Sequence, residues 1–347
     1  MNGRERVLIA LDGGEPDRVP CALSFYRIEV DAPAADDIVD VKFVDVPPSA
    51  EEEALRRRVE PFPPDTRLGS RTQIATYALW RYRPGDPERS NPLARARTLD
   101  DLRSFPFPEP APARHVGADL GRRVRALQER GLAVGGNLPH LGGELFETAW
   151  RMRGLENFLV DLARRPEWAH CLLDRLAERA RRHAETLAGA GIDVLVLDDD
   201  VGMPGGMMIG PATWREFFKP RLEGIIRGAK GAAPALRVLF HSDGDFASII
   251  GDLVEIGVDA INPLQPEYMD AADVRRRFGV RPALWGTVGR QTTFSWSTPA
   301  EIGREVKMRI DTLGRAGLIL CPAYDIDEPD VPHENVAAFL EAVKAYG

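Results

Sequence analysis

Four polar groups could do chemistry by their residue types and spacing. His241-Ser242-Asp243-Gly244-Asp245 sets an imidazole two positions from one carboxylate and four from the next. Asp198-Asp199-Asp200 sets three carboxylates in a row. Asn262 with Gln265, and Asn137 with His140, add amides and a second imidazole. An imidazole and a carboxylate two positions apart can grip a metal or exchange a proton with a substrate. A dense acidic set either holds a cation or raises the pKa of some of its own carboxyls, leaving one to act as an acid.

Each run follows an apolar stretch. Val238-Leu239-Phe240 leads into His241, Val194-Leu195-Val196-Leu197 into Asp198, Ala260-Ile261 into Asn262, and Leu132-Ala133-Val134-Gly135-Gly136 into Asn137. Such stretches read as buried strands, as do Val19 to Phe25, Ala283 to Trp285 and Leu318 to Leu320. Helical patterns lie between them, at 119–130, 144–162, 166–189 with Pro166 at its start, 211–228, 246–256 and 271–278. Asn2 can cap a first helix that ends near Gly13-Gly14. Thr298-Pro299-Ala300-Glu301 is a capping box with proline at the first helical position, and a last helix runs from about Pro332 to Tyr346.

Strand alternating with helix requires a parallel sheet with crossover helices. The predicted fold is α/β, a single (β/α)8 TIM barrel spanning residues 1–347. Seven strands are clear, and an eighth could come from Val41–Val46 or Thr72–Tyr82. Residues 27–115, rich in Pro, Arg and Asp, read as an elaboration of the N-terminal region, too poor in apolar residues for a core of their own. No Gly-x-Gly-x-x-Gly follows the first strand, which weakens a dinucleotide-binding alternative.

In a barrel, residues just after each strand converge on one rim. That rim would hold Asn137, His140, the Asp198–Asp200 run, His241, Asp243 and Asp245, then Asn262, Gln265, Gly286-Thr287, Cys321, Tyr324 and Asp325. Plainer roles compete for each. A single Asp at a strand end often satisfies loop amides, Asp243 could nucleate the next turn, and Cys321 could simply pack. The loop Gly202-Met203-Pro204-Gly205-Gly206-Met207-Met208 reads either as a mobile lid with soft apolar contacts to a ligand or as an ordinary loop.

The net charge of −8, from 45 basic and 53 acidic residues, argues against a nucleic-acid partner. Three widely spaced cysteines form no Cys-x-x-Cys pair, so the expected setting is a reducing cytoplasm. The first residues do not read as a signal peptide, and no apolar run approaches the ~20 residues that span a bilayer, so no membrane partner is expected.

Several segments resemble the uroporphyrinogen decarboxylase superfamily. They are Arg4-Glu5-Arg6-Val7-Leu8 with Glu15-Pro16-Asp17-Arg18-Val19-Pro20, Gly143-Glu144-Leu145-Phe146-Glu147, Trp214-Arg215-Glu216-Phe217-Phe218-Lys219-Pro220, Phe240-His241-Ser242-Asp243-Gly244, and Asp330-Val331-Pro332-His333-Glu334-Asn335-Val336. The resemblance implies the same (β/α)8 barrel. True uroporphyrinogen decarboxylases carry an arginine-rich segment after the first strand and bind a tetrapyrrole without a metal. Here that place holds Ser24-Phe25-Tyr26-Arg27-Ile28-Glu29, with one Arg and an acid. The other branch resembles corrinoid-linked methyltransferases, which hold zinc with a His-x-Cys pair and a later Cys. Here those positions fall on His241, Asp243 and Asp325.

The resemblance therefore implies an enzyme that moves a methyl group between a small molecule and a corrinoid or folate carrier. A corrinoid protein is its partner on this reading, and zinc on His241, Asp243 and Asp325 its metal, if it has one. His241, Asp243 and Asp199 are the candidate catalytic residues. Tyr26, Asn137, Asp198, Asn262, Gln265 and Tyr324 are the candidate substrate contacts. One alternative is a decarboxylase or lyase acting on a non-porphyrin carboxylate, with Asp199 or His241 as proton donor. Another is a non-catalytic ligand-binding barrel.

Overall fold

The computed structural model describes residues 1–28, 35–47, 91–107, 113–289, 294–323 and 331–347, with 54 and 326. In chain order its strands are β1 (Val41–Asp45), β2 (Ala133–Asn137), β3 (Val194–Asp198), β4 (Gly202–Met203), β5 (Gly206–Met207), β6 (Arg237–His241), β7 (Ala260–Asn262), β8 (Ala283–Trp285) and β9 (Leu318–Ile319). Seven form one curled sheet in the order β1-β2-β3-β6-β7-β8-β9, and every neighbouring pair is parallel. The short strands β4 and β5 make a separate antiparallel hairpin.

Side chains alternate across a strand, so the sheet has two apolar faces. Val194, Val196, Leu239, Ala260, Ala283, Trp285 and Ile319 pack together on one face with Val41 and Phe43. Leu195, Leu197, Val238, Phe240, Ile261 and Leu284 lie on the other, under the helices. Near-continuous apolar strands are what a parallel sheet covered on both sides requires.

The first of the seven expected strands behaves differently from expectation. Val19–Phe25 makes a single bridge, from Cys21 to Leu320, and then bends. Leu320 N–H donates to Pro20 O, and Ala22 N–H donates to Leu320 O, both at 2.9 Å. On the other side, Asp40 N–H donates to Cys21 O at 2.9 Å. Pro20 has no N–H to continue a ladder, and the Cys21 N–H goes to the Asp40 carboxylate at 2.8 Å. Asp40 also receives the Arg18 guanidinium at 2.8 Å, which ties the N-terminal segment to the start of β1. That strand lies inside the stretch read from sequence as an elaboration, whereas Thr72–Tyr82 lies outside the described residues.

Helix ends follow local signals where these are strong. The helix Pro166–Gly189 begins at proline, and Ala271–Phe278 is capped by Asp270, whose side chain accepts from Ala272 N–H. The single helix expected over 144–162 is two, Phe146–Arg153 and Leu155–Arg164, broken at Gly154 with φ 85°. The joint is held by a buried ion pair. Arg153 Nε donates to Asp161 Oδ2 at 2.8 Å, and Arg153 Nη1 donates to Leu93 O at 2.7 Å.

Candidate active site

Parallel register sets the site. Asp198 pairs with His241, and His241 pairs with Asn262, so the carboxyl ends of β3, β6 and β7 lie side by side. Strand alternation then aims these three residues the same way as Val196, Leu239 and Ala260.

The proton on His241 is fixed by its neighbours. Asn262 Nδ2 donates to Trp285 O at 2.9 Å, which fixes the orientation of the amide. Asn262 Oδ1, an acceptor, then lies 2.6 Å from His241 Nδ1. Nδ1 therefore carries the hydrogen, and Nε2 keeps a lone pair when the ring is neutral. Nε2 looks toward Asp200 Oδ1 at 3.7 Å and Asp243 Oδ1 at 3.9 Å. The Phe25 ring stacks on the imidazole, with centroids 3.7 Å apart and planes 14° from parallel. Asn137 Nδ2 donates to Phe25 O at 3.0 Å and holds that aromatic in place.

Alternation also sorts the three aspartates. Asp198 and Asp200 face the imidazole, and among the described residues their oxygens and His241 Nε2 lie within 4.8 Å of one another. Asp199 points the opposite way. Its Oδ2 accepts from Phe146 N–H at 2.8 Å and its Oδ1 from Glu147 N–H at 3.1 Å, so it anchors the start of the Phe146–Arg153 helix. The sequence reading of Asp199 as a catalytic residue thus meets a carboxylate engaged with backbone amides, with Asp200 in the position facing His241.

A second acid layer backs this centre. Glu144 Oε2 accepts from Asp198 N–H at 2.6 Å, and Glu144 N–H donates to Asp198 O at 2.8 Å. Glu144 Oε1 and Asp198 Oδ1 are buried without a hydrogen-bond partner. His140 Nε2 sits 3.6 Å from Asp198 Oδ2 and 4.0 Å from Glu144 Oε1. Burial pushes the Asp198 carboxyl well above the usual range, reinforced by Asp200 and Glu144. Burial does the same to Glu144, reinforced by Asp199. Glu147 is raised to about 7 by burial despite its pairing with Arg151, and Asp199 to about 7 by burial despite its two amide donors. His140 is pushed down to about 4 by burial, then by His241 and Arg151. Glu144 and Glu147 were not among the residues chosen from sequence. Their signal was the Gly143–Glu147 segment, two acids three apart, next to a strand-end residue with its own His.

The remaining candidates divide between rim and scaffold. Gln265 Oε1 accepts from Gly244 N–H at 2.7 Å, and its Nε2 donates to Asp243 Oδ1 at 3.0 Å, so it shapes the loop after β6. Asp243 is half-exposed, and its own N–H donates to Asp200 Oδ1 at 2.6 Å. The next turn is capped by Asp245, which accepts from Ala247 N–H at 2.9 Å. Tyr26 lies edge-on to Phe25, with centroids 5.0 Å apart. Thr287, fully buried, is held at φ 138°, a strained value for a residue with a side chain, and its hydroxyl has no partner. Cys321 is buried in the inner cluster. Tyr324 and Asp325 lie outside the described residues.

The methionine loop is a pinned hairpin. Ser242 Oγ accepts from Val201 N–H at 3.0 Å and Gly202 N–H at 3.3 Å, and Asp245 N–H donates to Met203 O at 2.9 Å. Gly202 and Gly244 face each other across this contact. A side chain on Gly202 would overlap Asp243 O, and one on Gly244, at φ +77°, would overlap Met203 N.

A parallel α/β sheet with acids and an imidazole at the carboxyl ends of adjacent strands defines the class to which this chain belongs. Within that class the chain is a member of the uroporphyrinogen decarboxylase (URO-D) family, whose profile matches residues 122–346. It is 27% identical over 277 residues to the uroporphyrinogen decarboxylase of Sodalis glossinidius, covering 76% of this chain and 73% of that one. It is 26% identical over 272 residues to that of Serratia proteamaculans, covering 75% and 71%. In fold it is similar to a methyltransferase from Methanosarcina mazei, with TM-score 0.66, 18% identity, and coverage of 100% of this chain and 99% of that one. No helix among the described residues is long and apolar enough to cross a membrane.

Proposed function

We propose that this chain is a cytoplasmic URO-D superfamily enzyme that moves a methyl group between a small molecule and a corrinoid or folate carrier. On this reading the sheet closes into one (β/α)8 barrel, with Pro20–Ala22 as the stave between β9 and β1 and residues 27–115 elaborating it. The observation that carries the reading is the charge of the site. Asp198, Asp200, Asp243 and Glu144 crowd around His241 and His140. Arg27, the one arginine of Ser24–Ile28, lies 4.0 Å from Asp45. A substrate with many carboxylates would meet like charge there. A small donor with a methylated heteroatom meets no such penalty.

The chain's own groups supply the proton chemistry. When a methyl leaves as a cation equivalent, the donor heteroatom keeps the bonding pair and needs a proton. Glu144, whose carboxyl burial pushes up, is the candidate donor of that proton. In the reverse direction the same carboxyl, once deprotonated, takes the proton of the acceptor heteroatom, while Asn262 holds His241 Nδ1–H. Phe25 covers one face of the ring and excludes water from it. The zinc implied by the family resemblance finds suitable donors in Asp198, Asp200 and His241, two oxygens and one nitrogen. Bound there it would supply Lewis acidity to a heteroatom.

The raised carboxyls also favour a second reading, a decarboxylase or lyase on a non-porphyrin carboxylate with Glu144 or His241 as proton donor. One assay separates the two. Purified protein is mixed with methylated alcohols, thiols or amines and reduced cobalamin or tetrahydrofolate, and carrier methylation is followed by absorbance or mass spectrometry. Methylation lost in His241→Ala supports methyl transfer. Carbon dioxide release without carrier methylation overturns it, as does conversion of uroporphyrinogen to coproporphyrinogen at enzyme-like rates.

A further inference from the structure

We propose that Asp198, Asp200 and His241 form a site for one divalent cation, a set different from the one implied by the His-x-Asp spacing. The site goes beyond the methyl-transfer reading and stands equally if the enzyme is a lyase.

Geometry comes first. The three donor atoms lie within 4.8 Å of one another, and His241 Nε2 is 3.7 Å from Asp200 Oδ1. Tetrahedral zinc with bonds of 2.0–2.2 Å sets its ligands about 3.3 Å apart. A closure of about 0.4 Å between His241 and Asp200 meets that distance, well within side-chain reach. His241, 6% exposed, makes its hydrogen bond through Nδ1 and leaves Nε2 without one.

A second observation points the same way. Glu144, only 4% exposed, leaves Oε1 without a partner beside Asp198 and His140, and Asp198 Oδ1 is orphaned next to it. A solvated acidic face has no need to bury an unpartnered oxygen, which is costly to keep from water. A divalent cation balances the two ligand carboxylates. Two of the three ligands are also oriented from behind, as metal ligands usually are: Asn262 holds His241, and Asp243 N–H holds Asp200. The Asp200 side chain, 35% exposed, opens the route from solvent. Asp243 fits less well, being 47% exposed, 3.9 Å from Nε2 and engaged by Gln265.

The test reads affinity rather than turnover, so failure of methyl transfer leaves it intact. Untagged full-length protein is stripped with chelator and titrated with zinc by calorimetry. One zinc per chain is expected, bound at least tenfold more weakly by His241→Ala and by Asp200→Asn, and within about twofold of wild type by Asp243→Asn. X-ray absorption of the loaded protein should show nitrogen and oxygen neighbours with one imidazole and no sulfur. Circular dichroism of each stripped variant checks folding, and Asp200→Glu replaces Asp200→Asn if the latter unfolds, with the same weakening expected. Folded wild type that takes up no zinc overturns the site. So does zinc lost in Asp243→Asn but retained in Asp200→Asn, or a sulfur neighbour.

Discussion

The Asn262 amide has its nitrogen on the Trp285 carbonyl and its oxygen on His241 Nδ1, so removing it frees the imidazole to carry its proton on either nitrogen. Nitrogen-15 spectra of the wild-type protein should therefore show His241 protonated at Nδ1 and bare at Nε2. Asn262→Ala should show a mixture, with activity lowered about 10- to 100-fold. A wild-type ring protonated at Nε2 would overturn the assignment. His241 and its place at a strand end were legible in the sequence, because an apolar run that stops in polar residues marks that edge. The role of Asn262 was not, since a substrate contact and a tautomer lock share one residue type and differ only in the partner across the sheet. The direction in which Asp199 points was a signal the sequence did contain. Alternation along Val196, Asp198 and Asp200 puts Asp199 on the helix side, whereas proximity to the strand end treats all three alike. Asp199→Ala should strand two backbone amides and cost about 1–3 kcal/mol for each in a urea titration. Asp200→Ala, which removes an acceptor from only one amide, should cost less stability. Equal losses would remove the distinction.

The hairpin of β4 and β5 is positioned by close backbone approach rather than by its methionines. Gly202→Ala places a methyl against Asp243 O, whereas Gly205→Ala at the hairpin tip meets nothing within 4 Å. The first change should destabilise by about 1–3 kcal/mol and speed amide exchange at Met203 and Asp245. The second should leave both melting temperature and exchange near wild type, and similar behaviour of the two would mean the hairpin moves freely as a lid. Elements with their own punctuation were readable from sequence, such as Pro166 opening one long helix and the Thr298–Glu301 box capping another. Elements decided by distant partners were not. The two helices on either side of Gly154 are tied by Arg153 reaching Asp161 and Leu93, and Val19–Phe25 loses its ladder to the Asp40 carboxylate. Neither partner is within reach of local periodicity.

Over the whole molecule, burial sets how stability responds to acid, and His183 is the group that isolates this effect away from the site. It lies in the helix Pro166–Gly189, is 2% exposed, and keeps Nε2 without a partner. Burial, and then Arg179 and Arg182, push its pKa from 6.5 down to about 3. A histidine lowered in the folded state favours folding when neutral. Its contribution is fully present above 6.5 and shrinks as pH falls toward 3, because the unfolded chain binds a proton that the folded chain refuses. The slope of stability against pH then gains up to about 1.4 kcal/mol per pH unit from this one group. Other titrating groups contribute in the same window, so the informative quantity is a difference. Between pH 6 and 4.5 the unfolding free energy of wild type should fall more steeply than that of His183→Gln, by close to one proton's worth. Parallel curves would mean that His183 titrates alike in both states, and that the interior around it admits charge.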